Sequence, residues 1–478
     1  MPARQNQEGK EQDYSDLARG LPMFTASDAQ ALAEEKQQLT ALQSKPLPGR
    51  WRGYLSLSGP GWMQSAMTLG SGSAMASLFA GAFLQYKLLW VQPVAMLLGI
   101  VMLSAMSHQT LCTGIRPFDA MKRFIHPSVA WMWGIAALAT TVVWHFPQYA
   151  LAAGMSEDII KAVTGWQPQG YQQMLLLVLL GIIFLILSTA ICWNYAKGHR
   201  GIRIYEKVLK GMVWMIIVAF LVVVIRRAVA GGVEWGKVAR GYLTFSIPTD
   251  PRGISVMIGA FAAAVGLNMT FLFPYTLLAR GWGREHRGLA RFDLMSGMLV
   301  PYVLATSLMV IATGCTIYDP QRFATGGTML SPTLAASMLE SAGLSVFFSR
   351  VVFGLGILGM ALSTITLQML VCGFAACEVF GVEPGGRWYK LGCLIPAPGV
   401  LGVVLWKYMG PWIAVPASAI CGVALPIAYI AFFLLNNSKK FLQSDRPVGG
   451  KGIAWNAVML TAIVFSIAAA CYYLYSFF

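Results

Sequence analysis

The chain has 478 residues, of which 56% are hydrophobic and only 12% charged, and its mean hydropathy is +0.61. A soluble domain carries about 25% charged residues, so this composition excludes a soluble globular fold and implies an all-α polytopic membrane protein. The net charge of +15 lies mainly in short loops between apolar runs, a pattern of membrane topology rather than of nucleic-acid binding.

Residues 1–50 are polar and carry no cleavable leader. They read as a cytoplasmic N-terminal tail, largely disordered, with a short helix around Asp28–Lys45. Residues 51–436 read as a transporter core of ten spans, and residues 437–478 as an inner loop and an eleventh span. A span needs about 20 apolar residues. Runs of that length fall at Tyr54–Ala82, Leu88–Thr110, Val129–Ala153, Gln172–Trp193, Tyr205–Ala228, Gly253–Leu278, Phe292–Cys315, Val346–Cys377, Leu391–Tyr408, Pro411–Leu435 and Ala454–Phe477.

Two of these spans are interrupted. The first contains Gly59-Pro60-Gly61-Trp62 and then Thr68-Leu69-Gly70-Ser71-Gly72-Ser73. The sixth contains Gly266-Leu267-Asn268-Met269-Thr270, followed by Pro274. Broken helices at matching points of two halves mark a transporter's substrate site. Unwound backbone is tolerated in a membrane only where it is buried in protein or lines a cavity. The expected architecture is therefore spans one to five inverted against spans six to ten, with the breaks in spans one and six. Kinked helices with packing glycines are the plainer alternative.

Charge bias sets the orientation. With the N-terminus inside, the inner loops Arg116–Arg123, Lys197–Lys210, Arg280–Arg291, Arg387–Lys390 and Lys439–Lys451 hold the larger share of Lys and Arg. The odd span count then places Phe478 outside. The longest outer connection is Thr316–Ser345, in which Ser331–Leu344 is expected as an amphipathic interfacial helix. A multi-pass location in the plasma (inner) membrane, with a cytoplasmic N-terminus, is the expectation.

Ionisable groups at bilayer depth are rare and usually functional. His145, in Trp144-His145-Phe146-Pro147-Gln148 of the third span, reads either as a proton relay or as a core histidine bonded to a carbonyl. Glu206, Asp293 and Glu378 sit at inner span ends, where salt-bridged gate or topology roles suit them; Gln368 faces the bundle interior. The eight cysteines show no ligand spacing and read as small core residues. No P-loop and no HExxH motif occurs. The chain therefore reads as a transporter, not an enzyme, with no cofactor. Its partners are a small ion or solute and the lipid bilayer, with no nucleic acid. The metal ligands and the oligomeric state stay open.

Several of these stretches carry a family likeness. Gly59-Pro60-Gly61-Trp62, followed by Gly81-Ala82-Phe83-Leu84-Gln85-Tyr86-Lys87-Leu88-Leu89-Trp90, resembles the first span and its exit in the Nramp (natural resistance-associated macrophage protein) family of divalent metal ion transporters. Gly359-Met360-Ala361-Leu362-Ser363-Thr364-Ile365-Thr366 is similar to that family's eighth-span AAGQSSTIT run, and Gly373–Phe380 to its inner end. The resemblance implies a LeuT-type 5+5 inverted repeat of about eleven transmembrane helices, with helices 1 and 6 broken. It also implies alternating access and symport of a divalent metal cation into the cytoplasm.

The site departs from the family's pattern. The family's Asp-Pro-Gly-Asn corresponds to Gly70-Ser71-Gly72-Ser73, so its ligand Asp falls on Gly70 and its Asn on Ser73. The family's Met-Pro-His falls on Thr270, Phe271 and Leu272, and its eighth-span Gln on Ala361. A dehydrated divalent ion in a low-dielectric site needs anionic charge, and a thioether favours soft transition metals. The substrate-binding candidates that remain are Thr68, Gly70, Ser71, Ser73, Asn268 and Thr270. They suit a hydrated ion, a monovalent ion or a neutral polar solute, and small polar residues also serve simply to pack helices. Three readings follow: an Nramp-type metal ion transporter of altered selectivity, a same-fold transporter of a monovalent ion or small polar non-metal solute, or a non-transporting sensor.

Overall fold

Among the described residues, ten helices are long and apolar enough to cross a bilayer, and a further pair, bent by 54° at its junction, makes an eleventh span. The computed structural model describes residues 26–195, 199–319, 345–382, 386–409 and 414–475, with the single positions 336, 340 and 343. The expected helix over Ser331–Leu344 falls almost entirely outside them. The spans observed are Pro60–Leu84 (the bent pair), Val91–Thr113, Pro127–Thr164, Tyr171–Tyr195, Arg200–Val229, Pro251–Ala279, Arg284–Gly314, Phe347–Phe380, Arg387–Leu405, Ala414–Asn437 and Gly449–Tyr475.

Two boundaries differ from expectation for physical reasons. The first span begins at Pro60, not Tyr54, because Tyr54 belongs to a separate helix, Leu47–Leu57. Pro60 has no N–H to continue a preceding helix and is preorganised as the first residue of a new one. The third span continues to Thr164, making 38 residues, or about 57 Å of helix. Ser156, Glu157 and Asp158 break its apolar pattern, yet all three are buried. Glu157 pairs with Lys161 and accepts from Gln173 at 2.7 Å, while Asp158 pairs with Arg350 at 3.4 Å. Partnered carboxylates can continue a buried helix that their sequence alone would end.

Burial sorts the spans into layers. The most apolar 18-residue window of the sixth span is 89% buried and that of the eighth 83%, against 28% for the fourth and 33% for the eleventh. The sixth and eighth therefore form the centre, and the fourth and eleventh lie at the lipid-facing rim. The first span is buried along almost its whole length, from Gly59 to Ala82. Within the segment read as a tail, residues Ala26–Gln43 form a helix, and its Glu35 and Leu39 are buried against the core.

Both expected breaks are present. The first span is interrupted at Leu69 and Gly70, where Gly70 is extended (φ −109°, ψ −167°). The sixth is interrupted at Val265 and Gly266, both extended, between helices Pro251–Ala264 and Leu267–Ala279. Thr68 joins the two: its hydroxyl lies 2.9 Å from the Ala263 carbonyl and 2.7 Å from the Ala264 carbonyl. Carbonyls freed by one broken helix are thus satisfied by the other.

Candidate functional site

The first half-helix, Pro60–Thr68, is held at its start by a carboxylate from the seventh span. Asp293 Oδ2 accepts from the Gly61 N–H at 2.7 Å and from the Gly59 N–H at 3.2 Å. Unpaired N–H groups at a helix start favour an anion. Close approach explains both glycines: a Cβ at Gly61 would sit 2.3 Å from the Asp293 carbonyl oxygen, and one at Gly59 would sit 2.1 Å from Glu206 Oε2.

The second half-helix, Ser71–Leu84, is capped by a side chain from elsewhere. Gln148, on the third span, accepts from the Ser71 N–H at 2.9 Å. The carbonyls ending the first half-helix face the eighth span, where Ser363 Oγ lies 3.0 Å from the Ala66 carbonyl and Thr364 Oγ1 3.3 Å from the Met67 carbonyl. Thr364 also donates to its own helix at the Met360 carbonyl, 2.9 Å away. Ser73 donates to the Thr68 carbonyl across the break. Ser71 Oγ and Gln148 Nε2 are buried without a hydrogen-bond partner among the described residues.

Gly70, on which the family's ligand Asp is expected to fall, has closed surroundings. A Cβ there would meet Thr364 Oγ1 at 2.6 Å and Gln148 Nε2 at 3.0 Å. The volume a carboxylate would enter is filled by a hydroxyl and an amide. At Gly72 a Cβ would meet Ser418 Oγ at 2.6 Å and the Trp144 ring at 2.8 Å.

In the sixth span Thr270 donates to the Leu267 carbonyl and accepts from Trp133 Nε1 at 3.0 Å. Trp133 stacks on Phe271 with ring centroids 4.2 Å apart. The structure thus brings Thr68, Gly70, Ser71 and Ser73 to one junction with the Ala263 and Ala264 carbonyls, whereas Thr270 is engaged by the third span. Asn268 is buried beside Gly266, whose Cβ would lie 2.8 Å from Asn268 Oδ1. A thioether is present one residue before Thr270: Met269 Sδ accepts from the Gly266 N–H at 3.4 Å and so caps the half-helix. Among the described residues no group of three His, Cys, Asp or Glu side chains is arranged to hold a metal ion.

His145 is fully buried and its Nδ1 lies 2.9 Å from Gln368 Oε1. That oxygen only accepts, so Nδ1 carries the proton and Nε2 is the acceptor. Nε2, Gln368 Nε2 and the hydroxyl of Tyr149, whose ring centroid lies 5.1 Å from that of His145, have no partner among the described residues.

A second, charged cluster lies where the N-terminal helix meets the core. Arg280, 2% exposed, pairs with Glu206 at 2.6 Å and Glu35 at 2.9 Å, and donates to the Leu57 carbonyl at 3.2 Å. Arg203 reaches Glu35 at 2.6 Å and Trp282 Nε1 donates to it at 2.9 Å. Burial pushes the Glu35 carboxyl up, but the Arg280 charge and hydrogen bonds, with Trp282 and Arg203, outweigh it and hold the group below its usual range. At the end of the eighth span, Glu378 pairs with Arg116 at 3.3 Å.

Gln148, Ser363, Thr364, Trp133 and Glu35 shape these sites but were not among the sequence candidates. Gln148 lies three residues beyond His145, about one helical turn, and a second polar residue in that apolar run was its only signal. Ser363 and Thr364 lie within the eighth-span run already noted for its likeness.

A family match to Nramp, described as natural resistance-associated macrophage protein-like, spans residues 61–476. The chain is 24% identical over 426 residues to the divalent metal cation transporter MntH of Acidiphilium cryptum (strain JF-5), covering 85% of this chain and 89% of that protein. It superposes on a mutant of the Eremococcus coleocola manganese transporter with a TM-score of 0.67 at 15% identity, covering 89% of this chain and 88% of the other. It also matches Mhp1, a nucleobase-cation-symport-1 family transporter, in a closed conformation, with a TM-score of 0.54 at 14% identity over 87% of this chain and 92% of the other. The fold is thus the LeuT type that the broken first and sixth spans imply.

Proposed function

The chain belongs to the Nramp family, and from that premise we propose that it carries a metal cation across a membrane by alternating access, with a selectivity unlike that of relatives named as divalent metal transporters. The substrate would bind at the junction of the two breaks. Thr68, Gly70, Ser71 and Ser73 line that junction, where the Ser71 hydroxyl is an oxygen without a partner among the described residues; Asn268 adds an amide beside Gly266, and Thr270 lies on the adjoining half-helix, engaged by Trp133.

One observation carries the change of selectivity: Thr364 and Gln148 fill the space beside Gly70, the residue on which the resemblance sets the family's Asp. No carboxylate offsets the dehydration of a bare divalent ion at this centre. Neutral oxygen donors suit a hard cation that keeps part of its water shell. The same neutrality favours a second reading, a monovalent ion or a small polar solute. His145 is proposed as a proton relay, supported by its unpartnered Nε2 beside Tyr149. A cytoplasmic N-terminus rests on the charge bias of the loops.

The test is titration of Mn²⁺ and then Mg²⁺ into purified protein, paired with proteoliposome uptake of each ion. Ser71→Ala removes a buried hydroxyl that has no protein partner, so stability should change by less than about 0.5 kcal/mol and ion affinity should fall about tenfold. Uptake by Ser71→Ala equal to that of the wild type would remove the junction as the site. Absence of flux for both ions in folded protein would favour the monovalent-ion or solute reading.

A further inference from the structure

The bundle also holds a cavity that the transport reading does not use. It has a volume of about 590 Å³ and lies between the second, seventh and eleventh spans. His108 of the second span, Arg291 and Met295 of the seventh, Asp445 of the connecting segment, and Lys451 and Trp455 of the eleventh line it.

The charges on its wall are unevenly satisfied. Asp445 is the carboxylate of this wall and is already claimed twice, by Arg284 and by Arg287, the latter at 3.5 Å. Its backbone carbonyl lies 2.9 Å from His108 Nε2. Arg291 and Lys451 have no carboxylate partner among the described residues. Arg291 instead lies over the Trp455 ring, 5.7 Å from its centroid, and the His108 ring lies 5.5 Å from the same tryptophan, centre to centre. Two cations therefore face a cavity whose acidic group is neutralised by two other arginines. The eleventh span begins at Gly449, between lining residues Val448 and Lys451, so the positive end of its helix dipole adds to the same field.

The apolar surroundings specify the ligand further. Met295 and Val448, which line this wall, are 45% and 65% exposed. A basic pocket with a tryptophan at a span end, next to apolar side chains open to lipid, matches an anionic headgroup with its acyl chains and not a fully water-borne anion.

We propose that this cavity binds the phosphate group of an anionic phospholipid, with Arg291 and Lys451 as its cationic ligands and the acyl chains lying along Met295 and Val448. The site lies apart from the helix breaks and makes no use of the substrate assignment there.

Native mass spectrometry of the detergent-solubilised full-length protein tests it, with phosphatidylglycerol and phosphatidylcholine added at equal concentration. Phosphatidylglycerol adducts should outlast phosphatidylcholine adducts. Lys451→Gln and Arg291→Gln should each lower phosphatidylglycerol retention roughly fivefold. Both side chains are exposed, so the variants keep the fold, which gel filtration checks. Lys87→Gln, on an exposed residue at the exit of the first span, should change nothing. Equal retention of the two lipids, or wild-type retention in both variants, overturns the proposal. Binding of inorganic phosphate that excludes phosphatidylglycerol overturns it too, because the site would then serve a free anion.

Discussion

Around the junction of the two broken helices the buried polar side chains Thr68, Ser71, Ser73, Gln148, Asn268, Ser363 and Thr364 are all neutral. Where the N-terminal helix meets the core, the buried polar groups are charged: Glu35, Glu206, Arg280 and Asp293. The two regions share the first span, since Asp293 holds its start and Gln148 caps its second half. Placement of charge thus follows mechanical need in this molecule. Ionised groups hold elements to one another, and the centre where a substrate would sit is left with dipoles. A buried ion is tolerated where partners and N–H donors surround it, and Arg280 has both carboxylates and a carbonyl.

The largest expected effect tests the charged region. Arg280→Met leaves Glu35 and Glu206 buried without their shared cation. Breaking a buried pair in this way costs about 3–5 kcal/mol, and denaturation in detergent should show a loss of that order. Protease should also cut residues 26–43 sooner. A variant within about 1 kcal/mol of wild type would mean that the cluster does not hold the N-terminal helix.

A second, smaller effect tests the neutral region. Gly70→Asp places a carboxylate where the resemblance sets the family's Asp, in a space that Thr364 and Gln148 already fill. The crowding should cost about 1–3 kcal/mol and give no gain in Mn²⁺ affinity. Adding Thr364→Ala frees the volume, and the double variant should then bind Mn²⁺ at least about tenfold more tightly than wild type. Equal affinity for the single and double variants, measured by titration calorimetry, would show that volume at Gly70 does not set selectivity.

Much of this contrast was legible in the sequence. The interruptions at Gly70 and Gly266 are visible because glycine and small polar residues stand where an apolar run should continue. The missing carboxylate is legible only through the resemblance, which sets the family's Asp on Gly70. The partners are not. Gln148 is 77 positions from Ser71 and Thr364 about 300 from Met67, and periodicity along one helix carries no information about which neighbour reaches its break. Glu206 and Asp293 were recognised as span-end acids beside Lys207, Lys210 and Arg291; Lys210 acts on both by its charge, but none of the three hydrogen-bonds to them. Arg280 and the backbone of Gly59 and Gly61 do so. Glu35 was hidden most completely, because a single acid in a polar segment looks solvated until the fold delivers an arginine to it.

The smallest effect follows from that acid's protonation. Glu35 faces Arg280, Arg203 and Trp282, and it shares Arg280 with Glu206. Its carboxyl is held below the ordinary value of 4.5. A depressed acid stabilises the docked state fully above its ordinary value, and the contribution is lost as pH falls through the lowered one. The hydrogen-exchange protection of residues 26–43, taken relative to the intrinsic rate at each pH, should therefore be flat from neutral pH down to the ordinary carboxylate range and fall only below it. Glu35→Gln loses the pairing at every pH, so its exchange should be faster at neutral pH and should no longer respond to acid at this step. If wild type and Glu35→Gln show the same acid profile, some other group governs docking. In that case the N-terminal helix would be held by apolar contacts such as Leu39 and Leu42, both buried, and the charged region would matter for joining the spans alone.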